Sequence, residues 1–249
     1  MVNNTHSIGK SILLTISLVF IVLLGLSALA APLISGYDPT DQNLSEILVS
    51  PGEGGHLLGT DDLGRDVFSR LLYGSRSALI VGSVTVVVAL VLGLVFGLLA
   101  GLGGRKLDGV IMIVNDSLLS FPTILLALTI VTFMGYGLGQ VMLAMGVIFS
   151  PVFTRIVRAE ALVLRHAEFV EAATIMGTKK IKIICLHIIP NMIGKLIVQS
   201  AITFASSIVV ESSLSYLGLG IQPPDPSWGL MLKDARSYIL TAPRLAMYP

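Results

Sequence analysis

The chain has 249 residues, of which 54% are hydrophobic and only 12% charged, with a mean hydropathy of +0.88 and a net charge of +1. Soluble domains carry about 25% charged residues, so this chain could not cover its own surface in water. Near-neutral charge gives no footing for nucleic acid. One cysteine, Cys185, permits no internal disulfide, and His6, His56, His166 and His187 lack metal-ligand spacing, so no metal or cofactor is expected on this chain.

A helix needs roughly 20 apolar residues to cross the hydrocarbon core. Lys10, the apolar run from Ser11 and Ala28-Leu29-Ala30 together imitate a secretory signal. That run is too long for a signal core of about 7–15 residues, so it is expected to stay as a first span. Helices are expected at 11–31, 77–101, 109–134, 138–156 and 195–217. The fold class is therefore all-α, a polytopic transmembrane bundle of about five spans. Residues 1–76 hold the first span, an outer loop and an interfacial helix. Residues 77–217 form the core bundle, and 218–249 an outer segment.

Between the first two spans, Leu63, Val67, Leu71 and Leu72 share a helical face, and Asp66 precedes Arg70 by four residues. Thr60 or Asp61 could cap that helix. The spacing admits either a specific outer element or a plain interfacial anchor. Gly93, Gly97 and Gly101 form a small-residue ridge on the second span, suited to close helix packing within the chain or between subunits. The cluster from Gly135 to Gly139 breaks the third span from the fourth.

Asp116, beside Asn115 in the third span, and Glu211 in the fifth are ionisable groups at membrane depth. Such groups face a bundle interior or a wet cavity, either on a translocation path or bonded to a neighbouring helix.

Orientation follows the cations. With the N-terminus in the cytoplasm, Lys10, Arg105, Lys106, Arg155, Arg158, Arg165, Lys179, Lys180, Lys182 and Lys195 fall inside, and most acids fall outside. The loop holding Arg105 and Lys106 is the cleanest vote.

The cytoplasmic stretch 168–190 reads EFVEAATIMGTKKIKIICLHIIP. Amphipathic helices flank Gly177, which permits a turn. Such a helix can lay its apolar face in a partner's groove. Ala172, Ala173 and Gly177 are small enough for close approach, and Glu171 supplies an orienting charge. Lys179, Lys180 and Lys182 alone would also suit a loop lying on lipid headgroups. The spacing from Glu171-Ala172-Ala173 to Gly177 to Pro190 favours docking, because a lipid-bound loop does not need it.

That spacing resembles the cytoplasmic "EAA" loop of ATP-binding-cassette importer permeases, with His187 where an aliphatic residue is common. A second stretch agrees: His56-Leu57-Leu58-Gly59-Thr60-Asp61, then Gly64-Arg65-Asp66 and Ser69-Arg70-Leu71-Leu72. It resembles the signature of the "C" type subunit of the dipeptide/oligopeptide/nickel permeases. Phe121-Pro122 with Leu125-Leu126-Ala127-Leu128 fits as well. So does Glu211 through Gly220, followed by Pro224, Trp228-Gly229 and Asp234-Ala235-Arg236. The family continues through a sixth span, which this sequence, stopping at Tyr248-Pro249, does not show.

The resemblance implies a non-catalytic subunit of a bacterial inner-membrane importer of peptides or nickel complexes. It implies a homologous second permease, two ATP-binding subunits that carry ATP and Mg, and a solute-binding protein. No P-loop is present in this chain: Gly9-Lys10-Ser11 has only the tail of the pattern, with Asn4 in the first glycine's place. The competing reading is a proton- or ion-coupled carrier using Asp116 and Glu211. A receptor that moves nothing is a third.

Overall fold

The computed structural model describes the backbone of residues 3–249 and the side chains of 15–17, 19 and 21–249. His6, Lys10 and the Gly9-Lys10-Ser11 tail lie outside those side chains. Among the described residues the regular elements are helices, with one isolated bridge between Thr60 and Asp66. Helices are α1 (Asn3–Ile34), α2 (Val67–Leu102), α3 (Arg105–Leu119), α4 (Thr123–Met134), α5 (Leu138–Leu164) and α6 (Glu168–Ile175). Then come α7 (Lys180–Ile183), a π turn (Ile184–Ile188), α8 (Ile189–Tyr216), α9 (Trp228–Ala235) and α10 (Arg244–Met247).

Among the described residues, four helical stretches are long and apolar enough to cross a membrane: Thr15–Ile34, Val67–Leu102, Leu138–Leu164 and Lys180–Tyr216. A fifth is reached only if α3 and α4 count as one broken span, bent by 98°. This corrects the expectation of one helix over 109–134. The cause is Pro122, which has no N–H to donate and sits at φ −58°, ψ 129°. It also drives its predecessor out of helical geometry.

Two other prolines are absorbed. Pro151 leaves the Val147 carbonyl without a backbone donor, and Ser150 Oγ bonds it instead at 2.8 Å. Pro190 stands two residues after the π turn, whose wider loop makes room for the proline ring against the preceding carbonyls.

The chain divides into two compact units, residues 81–220 and residues 1–80 with 221–249. In the 81–220 unit, one core cluster joins Val81, Ala127, Val131, Val141, Met145 and Leu214. A second joins Ala89, Phe153, Val157, Val170, Ala173, Ile183 and Met192. Lipid tails are as apolar as these side chains, so close packing rather than expulsion from water holds them together. The glycine ridge serves this packing within the chain. A Cβ on Gly97 would lie 2.5 Å from Val157 Cβ, and one on Gly101 2.7 Å from Ala161 Cβ, while Gly93 meets Phe153. The pairings advance together, so α2 and α5 run parallel.

In the other unit, Val67, Met231, Ala235, Ala242 and Leu245 form the core. Ser227 caps α9, its Oγ accepting from the Leu230 N–H at 3.1 Å. Trp228 Nε1 donates to the Leu71 carbonyl at 3.2 Å.

Candidate functional site

The stretch 168–190 is built as a helix, a reversal and a second helix. The reversal closes α6 with two bonds: Thr178 N–H to the Ala173 carbonyl and Gly177 N–H to the Thr174 carbonyl, both 3.0 Å. This is the Schellman arrangement, and it needs the left-handed φ of +73° that Gly177 adopts. Val170 and Ala173 are buried with Ile183, Ile188 and Met192, so one face of the loop is part of the bundle core. The other face is open: Glu171, Ala172 and Gly177 are exposed, and Ile175 and Met176 are 87% and 77% exposed.

The three small residues singled out from sequence thus divide. Ala172 and Gly177 lie on the outside, while Ala173 packs inward. Among the described residues the Glu171 carboxylate has no protein partner. Lys179 and Lys180 are exposed, and Pro190 lies in the first turn of α8 rather than ending a loop.

The stretch around Gly59, Asp61, Gly64, Arg65 and Asp66 departs from the expected surface helix. Helix α2 starts at Val67, so Leu63 lies outside it, and Thr60 and Asp61 do not cap it. Asp66 does, its Oδ2 accepting from Ser69 N–H at 2.7 Å. The expected Asp66–Arg70 ion pair is absent, because both side chains have other partners. Asp66 Oδ1 is 2.9 Å from His56 Nδ1. Arg70 Nη1 donates to the Pro39 carbonyl at 3.1 Å, and its Nε lies 3.4 Å from Asp61 Oδ2.

Asp61 organises the turn. Its Oδ1 accepts from the Leu63 and Arg65 N–H groups at 2.9 and 3.0 Å, and its Oδ2 from Arg65 Nε at 2.7 Å. Arg65 Nη2 reaches Asp234 at 3.4 Å. His56, Arg65, Asp66 and Arg70 are all at most 4% exposed. Gly64, at φ +71°, and Gly59, at +81°, have no room for a Cβ against the backbone of Asn43 and Val49. The pattern is a folding device for this unit: charges that would be costly to bury alone are buried in hydrogen-bonded pairs.

Two carboxyls of this unit are shifted in opposite directions. Burial, with Asp61 and Asp234 nearby, pushes the Asp62 carboxyl up, against a weaker pull from Arg65. Hydrogen bonds from the Thr40 hydroxyl and N–H hold the Asp38 carboxyl below its ordinary value.

Asp116 and Glu211 have unlike surroundings. Asp116 Oδ1 accepts from Arg155 Nη2 at 2.7 Å, with both side chains about half exposed, 55% and 52%. Glu211 is 1% exposed and accepts from Ser215 Oγ at 2.6 Å within its own helix. Asn115 is buried and donates to the Pro151 carbonyl at 3.2 Å. Sequence reasoning missed the ion pairs of α5, which join Arg158 to Asp108 and Glu160 to Lys195. No spacing rule links residues so far apart in the chain. Among the described residues no cluster of three metal-ligating side chains occurs.

A family model described as "binding-protein-dependent transport system inner membrane component" matches residues 93–247. Another, the "N-terminal TM domain of oligopeptide transport permease C", matches residues 10–51. A dipeptide transport system permease protein of Alkalihalophilus pseudofirmus is 40% identical over 240 residues, 96% of this chain and 79% of the relative. A di/tripeptide transport system permease protein of Pseudomonas aeruginosa is 39% identical, covering 89% of this chain and 75% of its own. A glutathione transport system permease protein of Pectobacterium atrosepticum is also 39% identical, covering 92% and 76%. Among solved structures, a chain of the MetNI methionine ABC transporter, in inward-facing conformations, superposes with a TM-score of 0.60 at 19% identity. It covers 72% of this chain and 86% of the other, and at that identity it speaks for the fold alone.

Proposed function

The chain belongs to the binding-protein-dependent transport inner membrane family, as an oligopeptide permease C type subunit, and from that premise we propose that it passes short peptides through a membrane importer driven by partner ATPases. It is a multi-pass, non-catalytic membrane component of an ATP-binding-cassette system. This membership displaces the self-powered carrier built on Asp116 and Glu211. The peptide cargo is carried over from relatives named for dipeptides, di/tripeptides and glutathione. No relative compared above is named for nickel.

The observation that carries the docking role is the two-faced loop 168–190. Its inner face is locked into the core through Val170, Ala173 and Ile183, so a force on the loop reaches α5 and α8. Its outer face offers Glu171, Ala172, Ile175, Met176 and Gly177. A ligand shifts an equilibrium only through different affinity for its two states. ATP bound to the partner would act in this way, and the loop would transmit the change. The partners are a second permease, two ATP-binding subunits and a solute-binding protein at the outer surface. The N-terminus lies in the cytoplasm, on the same side as this loop.

Of the two intramembrane acids, Asp116 is the one we assign to the path, and Glu211 the one we assign to positioning the end of α8. The test is co-purification of ATP-binding subunits with the intact chain, alongside dipeptide uptake, for Glu171→Lys and Met176→Asp. Both variants should keep the fold and lose the ATPases and uptake. Unchanged association and uptake in both would overturn the docking role.

A further inference from the structure

The Asp116–Arg155 pair is not needed to hold α3 against α5. Asn115 already donates to the Pro151 carbonyl, and Arg158 Nη2 grips Asp108 Oδ2 at 2.6 Å in a pair whose side chains are only 29% and 21% exposed. The Asp116–Arg155 contact is one hydrogen bond between side chains more than half open. Among the described residues, Asp116 Oδ2 and the remaining Arg155 donors have no protein partner.

The surrounding face is unusual for this chain. Helix α3 turns Val110, Ile111, Val114 and Leu118 toward an apolar cavity of about 420 Å³. On its other side Gly109, Ile113, Asp116, Ser117 and Ser120 are exposed together, at helical spacing. Arg155 and Ala159 continue the exposed face on α5. A half-open ion pair flanked by serines is costly against lipid tails, so this strip faces water or protein.

The geometry points to the Asp116–Arg155 pair as the contact that receives the two charged ends of a passing peptide, Asp116 its ammonium and Arg155 its carboxylate. This rests on the peptide reading above. A free dipeptide is a zwitterion whose termini lie roughly 5–7 Å apart along an extended chain. Rotation of the long Arg155 side chain opens the pair to that span. Both partners then exchange one charge-assisted hydrogen bond for another, so neither charge is left unpaired. The closed pair restores itself once the peptide leaves, which suits a step that must release what it binds.

The test uses the whole importer in proteoliposomes, with its own ATP-binding subunits and binding protein, and alanyl-alanine as the probe. Asp116→Asn combined with Arg155→Gln keeps a neutral hydrogen bond but removes both charges. Import should fall about tenfold or more, as for a site that loses its polar matches to the substrate. Assembly and ATP hydrolysis should persist. The exchanged pair, Asp116→Arg with Arg155→Asp, keeps both charges and should recover most of the import. Two results would overturn the assignment: unchanged import in the neutral double variant, or import that falls only in step with assembly and ATP hydrolysis. An unaltered importer that moves no dipeptide would instead defeat the peptide reading, before any variant is compared.

Discussion

Gly97 of α2 lies against Val157 of α5 so closely that a Cβ on the glycine would stand 2.5 Å from Val157 Cβ. The same four-residue step brings Gly101 to Ala161 and Gly93 to Phe153. The ridge that sequence left open to either use is therefore an intrachain seam, and it joins the helix that runs into the 168–190 loop to its parallel neighbour.

Filling that seam should loosen the bundle. Gly97→Val adds volume where none is free, and overpacking of this kind costs about 1–3 kcal/mol. Thermal unfolding of the purified chain in detergent should show a lower midpoint for Gly97→Val. Pairing it with Val157→Ala should restore part of the loss. No shift in midpoint would mean that the helices do not pack at this register.

Gly64→Ala should be worse tolerated than its size suggests. The position combines a left-handed φ of +71° with a missing Cβ that would meet the Asn43 backbone. Backbone cannot swing aside as a side chain can. We expect the 35–66 segment to become open to limited proteolysis in Gly64→Ala. Protection equal to the unaltered chain would contradict the packing described here.

Breaking the buried outer network from one side should be costly. Arg65→Met leaves Asp61 without its strongest partner, the Nε donor at 2.7 Å. Removing one member of a buried pair costs about 3–5 kcal/mol, because the other charge stays buried. A fall in unfolding midpoint with normal ATPase association would match, since the 168–190 loop belongs to the other compact unit. An unchanged midpoint would show that the network adds nothing.

Asp62 gives a pH-dependent prediction with a definite sign. Its carboxyl is pushed up by burial and by Asp61 and Asp234, so the folded state disfavours the ionised form. The folded chain then binds more protons than the unfolded chain between the unperturbed value, about 3.9, and the raised one. Stability from this group falls as pH rises through that window and stays reduced above it. Asp62→Asn should therefore raise the unfolding midpoint at pH 7.5, with the gain shrinking as the pH approaches 4. A gain that grows toward acid would have the wrong sign.

At the reversal of the loop, Gly177→Ala should cost about 1 kcal/mol, the penalty of a side chain in the left-handed region. The loss should appear as faster hydrogen exchange over 168–183, together with weaker ATPase association. Exchange indistinguishable from the unaltered chain would count against the Schellman closure.

Much of this molecule was legible from its sequence, for a physical reason. Spans are set by local hydropathy over about 20 residues, so α1, α2, α5 and α8 stand close to where composition places them. The helix–glycine–helix form of 168–190 is equally local, since Gly177 alone provides the turn. Only the tertiary structure decided what depends on partners far along the chain. Pro122 was visible, but the 98° bend it produces depends on how α4 packs against α5 and α8. Asp66 and Arg70 were correctly spaced for a helix pair, yet His56, Pro39 and Asp61 outcompete that contact because they are buried beside it. Ala172 and Ala173 are neighbours of the same chemistry, and the core takes one while leaving the other outside. Asp116 and Glu211 are both acids within apolar stretches of the chain, but Arg155 meets the first on an open face and Ser215 meets the second in a closed one. Sequence assigns a residue its chemistry and its helical face, whereas the neighbouring helices decide whether that face meets the core, a partner or water.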